Sequence, residues 1–180
     1  MNTQHVDTRD KTDKRYLARC LSQLKSWGAP TDGWYCTEVI DVREDDPEAP
    51  LSECELCGCK DVRYEHIMQH DYYFEPVTVG CICAGIMEGS ILRARERERM
   101  LRNRSRRRKN FIKRRWVRSD RNICYRRYRN QDIYIFEGTR NYTVKVGWYG
   151  TSTYKGRPIN NFLSAVYAAF DLADPKGEIL

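Results

Sequence analysis

The chain has 180 residues, a formal net charge of +7, 41% hydrophobic and 12% aromatic side chains. That apolar content supports packed cores and excludes wholesale disorder, while no apolar run reaches the roughly 18 residues a membrane span needs. The polar opening MNTQHVDTRDKTDKRY carries no signal-peptide core, so the eight cysteines read as metal ligands and free thiols of a reducing cytoplasm rather than as disulfides.

Residues 1–13 read as a disordered lead. Asp13 is placed to cap a helix over 14–27, with Leu17, Cys20, Leu21, Leu24 and Trp27 on one face and Gly28 and Pro30 as its stop. Residues 34–41, rich in aromatic and β-branched side chains, predict a strand, followed by an acidic, proline-bounded loop over 43–50. Together, 14–50 form an N-terminal helix and strand. Next come Cys54-x₂-Cys57, a second strand over 62–70, a turn over 71–76 and a return strand over 77–79 that leads into Gly80-Cys81-x-Cys83. One helix is expected from about Ala84 into the arginine-loaded stretch. Past a boundary near Ser119, residues 123–128, 132–136 and 142–148 predict three strands, with 151–157 as a short fourth. Asn160 or Asn161 then caps a last helix whose apolar face holds Phe162, Ala165, Val166, Ala169 and Phe170, and 171–180 reads as a frayed tail.

Charge is concentrated. From Arg93 to Arg118 there are fourteen Arg and Lys against Glu96 and Glu98, a local net of +12, so the rest of the chain sums to 7 − 12 = −5. Arginine outnumbers lysine twelve to two there, and guanidinium grips phosphate in a bidentate fork and stacks on bases. The contacting set is read as Arg95, Arg99, Arg102, Arg104, Arg106, Arg107, Arg108, Lys109, Lys113, Arg114 and Arg115. Like charges repel beyond Arg102, so that half is expected to order on a polyanion. The competing reading is a solvated charged helix. Further on, Arg126, Tyr128, Arg140, Tyr142, Lys145, Trp148, Tyr154 and Lys155 interleave aromatics with cations, which suits a sheet face against nucleic acid as well as ordinary wet strands.

Two close cysteine pairs supply the four thiolates that one tetrahedral Zn²⁺ requires. The assigned ligands are Cys54, Cys57, Cys81 and Cys83, with Gly58 suited to the knuckle turn. Cys59 competes, since Cys57-Gly-Cys59 mirrors Cys81-Ile-Cys83, and His66 or His70 could replace a thiol. Cys20, Cys36 and Cys124 read as core thiols. With all four positions filled the ion is structural and leaves no open position to activate water.

Knuckle, hairpin, then a helix whose start brings the second ligand pair resembles a treble-clef zinc finger over about 54–95. That finger and the basic helix occupy 51–118, and 119–180 form a βββα domain. The expected class is α+β: the finger with its long basic helix, plus a small antiparallel sheet packed on one helix. Three strands and a helix are similar in layout to sheet-reading DNA-binding modules of the integrase-arm type. Glu65-His66-Ile67 resembles a segment of HNH nucleases, treble clefs in which the histidine activates water, but no Asn-x-His counterpart follows. The run Cys-Glu-Leu-Cys-Gly…Val-Gly-Cys-Ile-Cys-Ala-Gly-Ile-Met-Glu-Gly with its Arg-rich helix resembles small zinc-finger proteins of bacteria and their phages, a resemblance that brings no activity with it. The expectation is a non-enzymatic, zinc-stabilised DNA- or RNA-binding protein of a bacterial cytoplasm. The alternative is a phage-encoded inhibitor or adaptor whose cations dock on an acidic protein or ribonucleoprotein.

Overall fold

The computed structural model describes residues 13–119 and 122–177, so residues 1–12 of the expected lead over 1–13 lie outside the described residues. The chain is mixed α and β, with four helices and antiparallel sheets among the described residues. Its contacts divide it into two compact units between Asn103 and Arg104, inside the third helix.

In the first unit, α1 spans Lys14–Ser26, and the Asp13 carboxylate caps it by accepting from the Arg15 N–H at 3.0 Å. Strands β1 (Tyr35–Asp41), β2 (Tyr64–His70) and β3 (Tyr73–Val79) form one antiparallel sheet in that order. The β2–β3 turn is tighter than the sequence suggested, with the return strand starting at Tyr73. Helix α2 covers Cys81–Met87 and begins at the cysteine pair rather than after it.

The expected continuous helix is in fact two. Gly89 takes φ +76°, a left-handed conformation that costs glycine little, and Ser90 then opens α3 (Ile91–Lys113) by accepting from the Arg93 N–H at 3.3 Å. Gly85 explains how tightly α2 meets the next element: a Cβ there would sit 2.4 Å from the Ile91 Cα. The core holds Leu24, Trp34, Met68, Val79, Met87 and Ala94, and a satellite packs Val39 and Tyr64 of the sheet on Leu101 of α3.

In the second unit, β4 (Val117–Arg118), β5 (Ile123–Tyr128), β6 (Gln131–Glu137), β7 (Tyr142–Val146) and β8 (Tyr149–Thr151) form a five-stranded antiparallel sheet in sequence order. The three expected strands are its centre. β9 (Thr153–Tyr154) and β10 (Arg157–Pro158) make a separate ribbon. Asn161 is the cap of α4 (Phe162–Ala173), accepting from the Ser164 N–H at 2.8 Å. Period-2 alternation sends Ile133, Ile135, Val144 and Val146 onto α4, where Ala165, Val166, Ala169 and Phe170 bury with Phe111. The opposite sheet face keeps Tyr125, Tyr134 and Phe136, with Tyr125 and Tyr134 rings 5.2 Å apart and Tyr134 and Phe136 6.2 Å apart.

Candidate functional site

Three of the four assigned thiols come together: the Cys54, Cys57 and Cys83 sulfurs lie within 4.8 Å of one another, Cys54 and Cys83 buried and Cys57 half-buried. Sulfurs bound at about 2.3 Å to a tetrahedral ion stand about 3.8 Å apart, so small side-chain movements would seat them. The knuckle is built by backbone. The Cys54 N–H donates to the Cys59 carbonyl and the Gly58 N–H to the Cys54 carbonyl, both at 2.8 Å, with Gly58 at φ +71°. The Glu55 N–H donates to the Thr78 carbonyl at 3.0 Å and ties the knuckle to β3. The Gly80 N–H, at the α2 cap, points at the Cys54 sulfur from 3.4 Å.

These donors favour thiolate. Its hydrogen bond with Cys83 and the backbone N–H groups of Gly80 and Cys57 outweigh burial and bring Cys54 down to about 5. Cys83 is raised by its bonds with Cys20 and Cys54 and by burial, so the cluster shares protons and Cys83 releases its own last. A cation would displace that proton. The chemistry of the donor set therefore fits a thiophilic metal ion.

Cys81 does not join the three. Its sulfur instead lies within 4.8 Å of a His66 ring nitrogen and a Glu98 carboxylate oxygen. Burial, with the neighbouring Glu98, pushes its thiol up to about 12. The thiol at the Cys83 side is Cys20, fully buried on α1 and hydrogen-bonded with Cys83, and the Tyr16 hydroxyl is 2.9 Å from the Cys83 sulfur. Cys20 is a core thiol, as the sequence suggested; what the sequence did not show is its place beside Cys83. The only local signal was that Tyr16 and Cys20 share a helix face at i, i+4. Of the competitors, Cys59 is exposed, and His70 packs on Trp34 at 5.4 Å and accepts from the Tyr72 N–H at 3.0 Å. His66 is fully buried, which does not suit the water-activating role that the HNH resemblance implied.

The basic helix is sorted by burial. Ala94, Arg97, Leu101, Arg104, Arg108 and Phe111 recur every three or four residues as its buried stripe. Arg97 donates to Glu88 at 2.6 Å. Arg104 donates from Nη2 to Asp171 Oδ1 at 2.6 Å and from Nε to the Asp174 carbonyl at 2.8 Å, above the Phe170 ring at 4.9 Å. Arg108 lies 4.3 Å over the Tyr167 ring and donates to the Tyr154 hydroxyl at 2.9 Å. Arg107 forms a two-pronged contact with the Asp174 carboxylate at 2.7 and 2.9 Å. Three of the eleven cations assigned to a polyanion, Arg104, Arg107 and Arg108, are thus engaged inside the second unit. In the half-helix beyond Arg102, Asp171 and Asp174 are the counterions of Arg104 and Arg107.

Elsewhere on α3, Arg95, Arg99 and Arg102 are exposed, but Arg99 pairs with Glu96 at 2.6 Å and Arg102 with Glu98. Arg106, Lys109 and Lys113, with Arg114 and Arg115 just beyond, are exposed and meet no carboxylate among the described residues. Arg126, expected on a wet strand, is buried, donating to the Phe111 carbonyl at 2.7 Å and so capping the C-terminal end of α3. On the open sheet face a groove of about 620 Å³ is lined by Tyr125, Tyr134, Phe136, Lys145 and Trp148, whose indole is fully exposed. No helix of the described residues is long and apolar enough to cross a membrane. No family model matches the chain, and neither does any curated protein or solved structure.

Proposed function

We propose that the chain is a zinc-stabilised, non-enzymatic nucleic-acid-binding protein. Zinc would be held by Cys54, Cys57 and Cys83, with Cys20 as the fourth thiolate, in a treble-clef-like arrangement of knuckle, β2–β3 hairpin and α2. The ion is structural: it fixes α2, and through the close packing at Gly85 the start of α3.

The observation that carries the nucleic-acid reading is in the second unit. After Arg104 and Arg107 have taken Asp171 and Asp174, the exposed cations Arg106, Lys109, Lys113, Arg114 and Arg115 have no carboxylate partner among the described residues. Solvated helices normally balance their signs, whereas a phosphate backbone supplies the missing counter-charge. The same unit offers the exposed Trp148 beside the half-buried rings of Tyr125 and Tyr134, a surface on which unstacked bases can lie.

Fluorescence anisotropy with single-stranded and duplex DNA and RNA at graded salt tests this. Affinity should fall with log[salt] at a slope of about 0.7–0.9 per phosphate neutralised, and R106Q/K109Q/R114Q/R115Q should flatten that slope by about three. Binding to none of these polymers in about 50 mM salt, or a slope untouched by the quadruple variant, refutes the reading. Tight capture of an acidic protein alongside that failure would favour an adaptor.

A further inference from the structure

We propose a second metal site in the first unit, formed by His66 on β2, Cys81 at the first turn of α2 and Glu98 on α3, that binds a borderline transition ion such as zinc and keeps one position open to solvent. Three different elements deliver one nitrogen, one sulfur and one oxygen to within 4.8 Å of each other. That mixed set, with a fourth position left to water, is a donor combination zinc accepts.

His66 supplies the independent observation. It is fully buried in the sheet, and its Nε2 finds no hydrogen-bond partner. A buried imidazole nitrogen without a partner forfeits a hydrogen bond it had in water, a cost that a coordinated ion removes. Its Nδ1 faces only the Cys36 sulfur, at 4.0 Å, so no strong hydrogen bond fixes the ring for another purpose.

Charge balances as well. Cys81 as thiolate and Glu98 as carboxylate together offset a divalent cation. Arg97 lies near His66, but Glu88 neutralises it at 2.6 Å. Arg102 donates to Glu98 Oε1, which leaves the second oxygen for the ion and supplies the outer-sphere partner that ligating carboxylates usually carry. A cavity of about 290 Å³ opens on the other side, with Tyr64, Cys81, Glu98 and Arg102 among its walls, so an exchangeable water or small anion can reach the fourth position. The cavity distinguishes this site from the thiolate cluster, and none of its three ligands is needed by that cluster.

Metal content of the full-length chain, purified without chelator and then equilibrated with Zn²⁺, tests the proposal by native mass spectrometry and elemental analysis. Two equivalents are expected. Glu98→Gln, which keeps the shape and the contact with Arg102, should bind one, as should Cys81→Ser. In Co²⁺ titrations the wild type should show two steps, a strong thiolate-to-metal band followed by a weaker one, and Glu98→Gln should lose only the second. A single equivalent in the wild type that Glu98→Gln retains overturns the proposal. So does a Cys81→Ser protein that binds none while Glu98→Gln keeps the wild-type content, since Cys81 would then serve the thiolate cluster. Because no nucleic acid enters the measurement, its outcome is separate from that of the binding assay.

Discussion

Replacing Arg104 by methionine separates an arginine that builds the fold from one that meets a ligand. Arg104 is 1% exposed, and its guanidinium makes charge-assisted bonds to Asp171 and to the Asp174 carbonyl, above the Phe170 ring. Removing one partner of a fully buried ion pair costs about 3–5 kcal/mol. Two features reduce that figure here. Asp171 keeps 35% of its side chain in water and retains Arg108 Nε at 3.9 Å, and methionine refills most of the volume. Against that, the carbonyl at the end of α4 loses its donor and the ring its cation, about 1 kcal/mol each. The net loss should be about 2–4 kcal/mol, or roughly 13–25 °C in Tm for a unit of this size. Arg106→Met, at an exposed position, should stay within about 0.5 kcal/mol. Urea and thermal unfolding followed by circular dichroism measure both, with anisotropy on nucleic acid in parallel. The reasoning would be falsified if R104M melted with the wild type and lost nucleic-acid affinity as R106M does, because Arg104 would then face a ligand.

Gly85→Ala should destabilise the first unit by at least about 2 kcal/mol in urea unfolding, since its methyl group would meet Ile91 backbone and not a flexible side chain; an unchanged midpoint would contradict the packing of α2. Acid should weaken the second unit through Asp174. Burial alone would raise this carboxyl, but hydrogen bonds from Arg107 and Tyr128 outweigh it and hold it below its ordinary value of 3.8. Because the folded value is the depressed one, the contribution is complete above 3.8 and disappears as pH falls below it, so Asp174→Asn should flatten the acid limb of a stability-against-pH curve. A variant whose acid limb runs parallel to wild type would argue against this. Stripping metal with a strong chelator should speed hydrogen exchange at the α2 and β2–β3 amides while those of β5–β7 stay protected; uniform loss or no change at all would remove the structural role of the ion.

Much of the fold was legible because it rests on local rules. Asp13 and Asn161 cap helices with their own side chains, and alternation along 132–136 separated the packed from the open sheet face. The knuckle could be read from Cys54-x₂-Cys57-Gly58 because its hydrogen bonds close within five residues. The break at Gly89 was less visible, since Gly-Ser between two helical runs also fits a continuous helix.

Sequence by itself determined that thiols would cluster and that positive charge would concentrate between Arg93 and Arg118. Tertiary structure decided which thiols lie together and which arginines are buried. Cys81 and Cys83 are two apart on one helix, so their side chains point about 200° apart and cannot both turn to the same cluster without distortion; Cys20, from α1, lies beside Cys83 instead. No local pattern reveals that Arg104 and Arg108 are interior residues, because a helix this poor in apolar side chains shows no buried stripe in its sequence. Their burial is stable only because α4 brings Asp171, Asp174 and two aromatic rings to the guanidinium groups, across 67 positions of chain in the case of Arg104 and Asp171. A buried charge is tolerated where its counter-charge and hydrogen-bond partners are already fixed, and only the folded chain fixes them.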